Sequence, residues 1–397
     1  MYGVGIVCEY NPFHTGHLYH MEQSRQLYED AVIICCMSGD FVQRGEAAVM
    51  SKYARAEAAC RCGADVVFEL PLPWCLSSAE TYARGAVSIL AAAGCKGLSF
   101  GAESERQEDL VDLASCLLEE KTKRRILSLM RTNDSLSYVK ARQNILRECC
   151  GEKALLALQP NNILAIEYLK VLSEAYPEIR PCVITRQGAE HDSMSMDTML
   201  SAKMLRSMLQ KGKRIEHYLP PASMEILDRE SNAGRISSPV AMEPLIRSRL
   251  YQVREEEFDL LPDAGDGAGR RLYHMLREGR TLNETVELAT TKRYTMARMR
   301  RILLSAVLDI RAEHTKSLPP YIRLLACNEK GRAYLAKEKK KMELPLITKP
   351  AMVKKLDHDA MEIFSLGSSA HDLFMLQNFH NQGISLGEDW KTGPFIV

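Results

Sequence analysis

Four short apolar runs, Val4–Cys8, Ala31–Met37, Ala64–Leu70 and Gly97–Phe100, punctuate the first hundred residues. Each is too short for a helix and suits a strand buried on both faces. The segments between them, His17–Tyr28, Lys52–Cys62 and Ala79–Ala93, read as helices, the last rich in alanine and stopped by Gly94. Strand alternating with helix predicts a parallel α/β sheet. Pro181–Thr185 offers a fifth strand, preceded by a helix over Asn162–Ala175. From about Ser201 the texture changes. Ala202–Gln210 ends at Gly212, Pro220-Pro221 follows, and the rest reads as helices joined by polar loops: Val240–Arg254, Gly269–Glu278, Leu282–Leu288, Tyr294–Glu313 and Gly331–Glu338. The expected division is an α/β domain over residues 1–210 and a mainly helical domain over 211–397.

Composition narrows what such a chain can do. The 397 residues, 46% hydrophobic, suffice for two or three domains at roughly 150 residues each. Its 52 basic and 51 acidic residues leave a net charge of +1, so any site for a polyanion must be a local patch. The first residues lack a basic leader and no window reaches about 18 uninterrupted apolar residues, which predicts neither secretion nor a membrane span. Twelve cysteines, many in apolar runs and none in a Cys-x-x-Cys pair, fit a reducing cytoplasm rather than a zinc ribbon or a disulfide framework.

The most informative stretch runs from Glu9 to His20, where the first strand stops at Asn11-Pro12-Phe13 and a helix starts. Ligands of open α/β sheets sit beyond the carboxyl ends of the strands, and helix amino termini present N–H groups to anions. His14 and His17, three residues apart, can share one face of the first helical turn and donate to phosphate oxygens. Gly16 between them leaves room for close approach. Capping of the helix is the plainer use of such a pair. A metal held by His14, His17 and His20 is disfavoured, because the third ring falls about 240° around the helix from the first. After the second strand, Met37-Ser38-Gly39-Asp40 and Gln43-Arg44-Gly45-Glu46 form a polar loop in which Arg44 is the candidate cation.

His14-Thr15-Gly16-His17 resembles the H-x-G-H signature of the nucleotidyltransferase superfamily. More narrowly, Val7-Cys8-Glu9-Tyr10-Asn11-Pro12-Phe13-His14-Thr15-Gly16-His17-Leu18-Tyr19-His20 is similar to the bacterial tRNA(Met) cytidine acetate ligase family. So are the block Met37–Ala47, Glu69-Leu70-Pro71, Phe100-Gly101-Ala102-Glu103, Pro160-Asn161-Asn162-Ile163-Leu164 and Lys292-Arg293-Tyr294-Thr295. The resemblance implies a Rossmann-like nucleotidyltransferase sheet and a helical carboxyl-terminal part. It also implies a ligase that converts acetate and ATP to acetyl-adenylate and passes the acetyl group to N4 of the wobble cytidine of elongator tRNA(Met). Mg²⁺ would travel with ATP, and coenzyme A would not be needed. By the same resemblance His14, His17 and Arg44 are catalytic, and the run Val7 to His20, Gly101, one of Asn161 and Asn162, and Arg186 bind ATP. A second signature of serines followed by arginine is represented by Ser201 and Arg206, with Lys203 in place of a small residue. Ser201 is equally a helix cap.

Lys292-Arg293-Tyr294-Thr295-Met296-Ala297-Arg298-Met299-Arg300-Arg301 holds five basic residues and no acid. On a helix Met296, Met299, Leu303, Val307 and Ile310 form one apolar stripe, which places Arg293, Arg298 and Arg301 roughly opposite. Lys292, Arg293, Arg298 and Arg301 are expected to track phosphates, and Tyr294 to stack on a base. Two weaker basic clusters are Lys121–Arg125 and Lys337–Lys341. No protein partner is legible. The rival readings are an adenylyltransferase that joins AMP to a small phosphate-bearing metabolite, and a catalytically silent RNA-binding module.

Overall fold

The computed structural model describes residues 1–104, 106–133, 136–185, 200–379 and 384–397. Its strands are β1 (Tyr2–Cys8), β2 (Ala31–Ser38), β3 (Phe41–Val42), β4 (Glu46–Ala47), β5 (Val66–Leu70), β6 (Gly97–Ala102), β7 (Arg180–Thr185), β8 (Ile322–Cys327), β9 (Leu346–Ile347) and β10 (Phe395–Ile396). The five runs read as strands are β1, β2, β5, β6 and β7, and every residue of β2 and β5 is buried, as continuous apolar runs require. Strand order in the main sheet is β10-β8-β5-β2-β1-β6-β7, with β9 also beside β8 and all pairs parallel except β5 with β8.

Helices α1 (Thr15–Gln26), α2 (Lys52–Arg61) and α3 (Ala79–Ala92) are the crossovers of the first four large strands. Between β6 and β7 the chain inserts a helical layer, α4 (Gln107–Leu118), α5 (Glu120–Thr132), α6 (Tyr138–Cys150) and α7 (Pro160–Ala175). Then follow α8 (Ala202–Gln210), α9 (Pro221–Asn232), α10 (Pro239–Leu250), α11 (Ala268–Glu278), α12 (Leu282–Ala289), α13 (Met296–Val307), α14 (Glu329–Glu338) and α15 (His358–Leu376). The two faces of the sheet bury separate clusters. One gathers α3, the inserted helices and α10 to α13, and the other gathers α2, α8 and α9.

The sheet does not end at Thr185. Residues 322–327 and 395–396, in the half expected to be mainly helical, add β8 beside β5 and β10 beyond β8. The run Ile322-Arg323-Leu324-Leu325-Ala326-Cys327 hides its strand character because an arginine interrupts it. In the fold Arg323 is buried and neutralised by Glu69, at 3.2 Å, and Asp389, at 2.9 Å. Helices α10 to α13 pack on one another, and their buried side chains join the cluster on one face of the sheet.

Candidate active site at the end of the first strand

The chain moves outward from β1 through β2 to β5 and then crosses back to β6, so the crevice between β1 and β6 is where the strand order reverses. Both edges of that crevice carry polar side chains. On the β1 edge His14 is the N-cap of α1, in extended conformation, and its Nδ1 accepts the Gly16 N–H at 3.1 Å. His17 Nδ1 accepts the His14 N–H at 3.3 Å, closing a reciprocal capping box made of two imidazoles. The rings stack with centroids 3.7 Å apart. An imidazole nitrogen that accepts carries no proton, so in each neutral ring the hydrogen sits on Nε2. Capping and anion binding are therefore compatible uses of one pair: Nδ1 serves the helix, and Nε2 is the donor edge. His14 is only 4% exposed and His17 is half-buried. A Cβ on Gly16 would sit 3.0 Å from the His14 ring, so a larger residue there would press on the capping imidazole.

The preceding turn is fastened from several sides. Tyr10 packs edge-on against Phe13, at 4.7 Å, and its hydroxyl lies 3.4 Å from Cys35 Sγ. Asn11 Oδ1 accepts the Val49 N–H at 2.7 Å, and Arg206 Nη1 donates to the Asn11 carbonyl at 3.0 Å. Glu9 accepts the Gln43 N–H at 3.1 Å. Burial raises the Glu9 carboxyl above its ordinary range, while Arg206, the Gln43 hydrogen bond, Arg44 and Arg55 pull it back. Arg206 is thus at the site, whereas Ser201 caps α8 by accepting the Met204 N–H. Arg44 is exposed at the tip of the β3–β4 hairpin. His20 Nε2 lies 3.0 Å from Ser99 Oγ on β6.

On the β6 edge the two asparagines separate. Asn162 is fully buried, and its Oδ1 accepts the backbone N–H groups of Glu103, at 2.9 Å, and Ser104, at 3.3 Å. Its side chain holds the loop after β6 rather than facing the crevice. Asn161 is half-buried and faces Glu103, whose carboxylate also accepts the N–H groups of Asn161 and Asn162 and so caps α7. Gly101 is half-buried near the end of β6. Arg186 lies outside the described residues. Among the described residues no group of three or more His, Cys, Asp or Glu has the arrangement to hold a metal, and no helix is long and apolar enough to cross a membrane.

Two buried cations of α2 carry more of the site than the sequence suggests. Arg55, fully buried, donates to the carbonyls of Glu9, Ser38, Gly39 and Met50 and so ties the ends of β1 and β2 together. Lys52 Nζ bonds Glu69 at 2.8 Å and Asp389 at 2.6 Å. Beside it His371 is held between Asp40, at 2.8 Å, and Glu388, at 2.9 Å. Burial works against its charge, but the Asp40 carboxylate and the hydrogen bond that the ring donates to Glu388 outweigh it and push the imidazole up to about 10. Asp40 is held below its usual range despite burial, by His371, Lys52 and Arg55. A histidine raised from 6.5 to about 10 gives stability that is complete below its unfolded value and lost as pH climbs toward the folded one. The melting temperature is therefore expected to fall between about pH 7 and about pH 10, and His371→Gln should flatten that limb. An equal slope in the variant would assign the loss to other groups.

The basic helix is more engaged than its sequence implies. Met299, Leu303 and Val307 are buried as a stripe, but Met296 is exposed. Arg301, 9% exposed, pairs with Asp263 at 2.7 Å, and Arg298 donates to the carbonyls of Asp263, at 2.7 Å, and Gly265, at 2.9 Å. Tyr294 is not a free stacking platform: it is buried, its hydroxyl donates to the Asp266 carbonyl, and Arg293 and Arg298 lie over its ring at 5.7 and 5.3 Å. The loop around Asp263–Asp266 folds back and supplies the acceptors. Of the segment, Lys292 is exposed and Arg293 half-buried.

The chain is similar to known proteins along its length. The model of the HIGH Nucleotidyl Transferase family matches residues 1–385. The tRNA(Met) cytidine acetate ligase of Caldanaerobacter subterraneus subsp. tengcongensis is 36% identical over 387 residues, covering 95% of each chain. The protein of that name from Bacillus licheniformis is 35% identical over 88% of this chain and 87% of its own. Among solved structures, Thermotoga maritima TmcAL without ligand superposes with a TM-score of 0.92 at 31% identity, and TmcAL bound with alpha-thio ATP with a TM-score of 0.90 at 29%, each covering 100% of both chains. The α/β nucleotidyltransferase fold with a helical region is thereby shared across the full length.

Proposed function

The chain belongs to the tRNA(Met) cytidine acetate ligase family of HIGH nucleotidyl transferases, and from that premise we propose that it is an ATP-dependent ligase that activates acetate as acetyl-adenylate and transfers the acetyl group to N4 of the wobble cytidine of elongator tRNA(Met). The observation that carries this reading is the stacked His14–His17 pair at a helix amino terminus, in the crevice where the strand order reverses. Attack of an acetate oxygen on the α-phosphorus builds negative charge on the phosphate oxygens. Nε2–H donors and helix N–H groups, fixed before the reaction, stabilise that charge without reorganising. Arg206 and Arg44 add cations on the same side, and Gly101 and Asn161 belong to the opposite wall. Arg186 is assigned to ATP by the resemblance alone. Mg²⁺ enters as the counter-ion of ATP, held by phosphate oxygens with few protein ligands. In the second step the cytidine amino group attacks the acetyl carbon, the N–C bond forms, AMP leaves with the electron pair of the C–O bond, and the amine loses a proton. Coenzyme A has no part in this balance.

The tRNA is assigned to the surface around Lys292, Arg293 and Arg298, with Tyr294 and Arg301 supporting those cations from within. This enzyme is expected to work in the cytoplasm. Incubation of elongator tRNA(Met) with enzyme, ATP and isotopically labelled acetate, followed by mass spectrometry of the nucleosides, should give N4-acetylcytidine carrying the label. Acetate-independent formation of a dinucleotide would point instead to an adenylyltransferase. Replacing Lys292 and Arg293 by alanine should weaken tRNA binding and reduce the slope of log affinity against log salt by about 0.7 to 0.9 for each phosphate no longer neutralised. An unaltered slope would move the tRNA surface elsewhere.

A further inference from the structure

The hairpin that carries Arg44 connects the two regions assigned above to different substrates. Glu46, on β4, accepts from Arg206 Nη2 at 3.3 Å through one carboxylate oxygen and from Arg300 Nη1 through the other. Arg206 also reaches the Asn11 carbonyl in the nucleotide turn, at 3.0 Å, and Arg300 lies on α13 within the basic segment. The three side chains are 33%, 16% and 29% exposed, so water and ligand phosphates can reach them. The hairpin packs closely against α13. A Cβ on Gly45, whose φ is +76°, would lie 2.5 Å from Arg300 Cβ and 2.8 Å from its backbone, so the turn and the helix are already at closest approach.

Two cations therefore share one anion across the boundary between the nucleotide crevice and the basic helix. We propose that Glu46 is a positioning residue through which ATP and tRNA oppose one another's binding, an inference that rests on the function assigned above. When triphosphate oxygens draw Arg206, Glu46 closes fully on Arg300 and withholds it from a tRNA phosphate. When a tRNA phosphate draws Arg300, Glu46 closes on Arg206. Departure of pyrophosphate after acetyl-adenylate forms returns Arg206 to Glu46 and frees Arg300, so the acceptor is gripped more tightly once the first step is complete.

Coupling of this kind is reciprocal, which gives the test an internal check. With the full-length protein, α,β-methylene-ATP should raise the Kd of elongator tRNA(Met) by about fivefold, and the tRNA should raise the Kd of the analogue by the same factor. Glu46→Gln, which keeps the shape and removes the charge, should bring both ratios to one. Arg300→Ala should do the same while itself weakening tRNA binding. Independent binding in the parent protein, or a ratio unchanged in Glu46→Gln, overturns the shared-carboxylate role. If acetylation of tRNA proceeds in that case, the functional assignment stands and only this inference is lost.

Discussion

His14→Asn is expected to lower acetate-dependent pyrophosphate release by roughly a hundred- to a thousandfold, the cost of one lost donor to a developing oxyanion, while leaving the fold nearly as stable as the parent. The separation is possible because His14 has two tasks on two nitrogens. Its Nδ1 caps α1, and asparagine is among the preferred N-cap residues, so the amide oxygen can take over the Gly16 N–H. No donor remains where Nε2–H was. His14→Ala should lose both tasks, with the same kinetic defect and about 1 kcal/mol of stability in addition. His17→Ala opens the reciprocal arm of the capping box and removes the stacked partner, so its defect should again be kinetic first and structural second. Pyrophosphate release within a few fold of the parent in His14→Asn would show that the imidazoles only cap the helix. Parallel falls in melting temperature and rate would show that they cannot be told apart from scaffold.

The difference between what could be read in the sequence and what could not follows charge. Runs such as Ala31–Ser38 announce themselves, because a strand buried on both faces must be continuously apolar. The His14–His17 site was legible for a related reason: its position after the first such strand fixes where its rings stand relative to the sheet. Arg55, Lys52 and Arg323 were not legible. A charged residue within an alanine-rich helix or an apolar run reads as solvated, and only Glu69 and Asp389, together with the carbonyls at the ends of β1 and β2, turn burial into a satisfied state. The same blindness affects the basic helix. Its apolar stripe could be counted from the spacing, yet the acceptors that occupy Arg298 and Arg301 come from a loop more than thirty residues earlier, at Asp263 and Gly265. Asn161 and Asn162 are neighbours in sequence but differ in their partners, since only the contacts in space reveal that Asn162 holds the backbone of the loop after β6 while Asn161 bonds the Glu103 side chain.

Asp389→Ala should be among the most destabilising single substitutions in the chain, by about 3–5 kcal/mol in urea unfolding, the range for removing one partner of a buried ion pair. Asp389 is 1% exposed and receives Lys52 at 2.6 Å, Arg323 at 2.9 Å and the Tyr53 hydroxyl at 2.8 Å. Without it two buried cations share Glu69 as their direct ion-pair partner, and Lys52 and Arg323 repel each other in a medium that screens them poorly. The ion pairs also explain why the consequence should reach the nucleotide. Lys52 opens α2, the helix whose Arg55 fastens the ends of β1 and β2, and the Lys52 N–H is held by Asp40 at 2.7 Å. A shift of that end of α2 would loosen the turn that sets His14, so ATP affinity should weaken along with stability. Replacing Lys52 with Met and Asp389 with Leu together should cost much less than either alone, because no orphaned charge remains beyond the Arg323–Glu69 pair. Additive losses in that double variant would mean that the network contributes through packing rather than through charge.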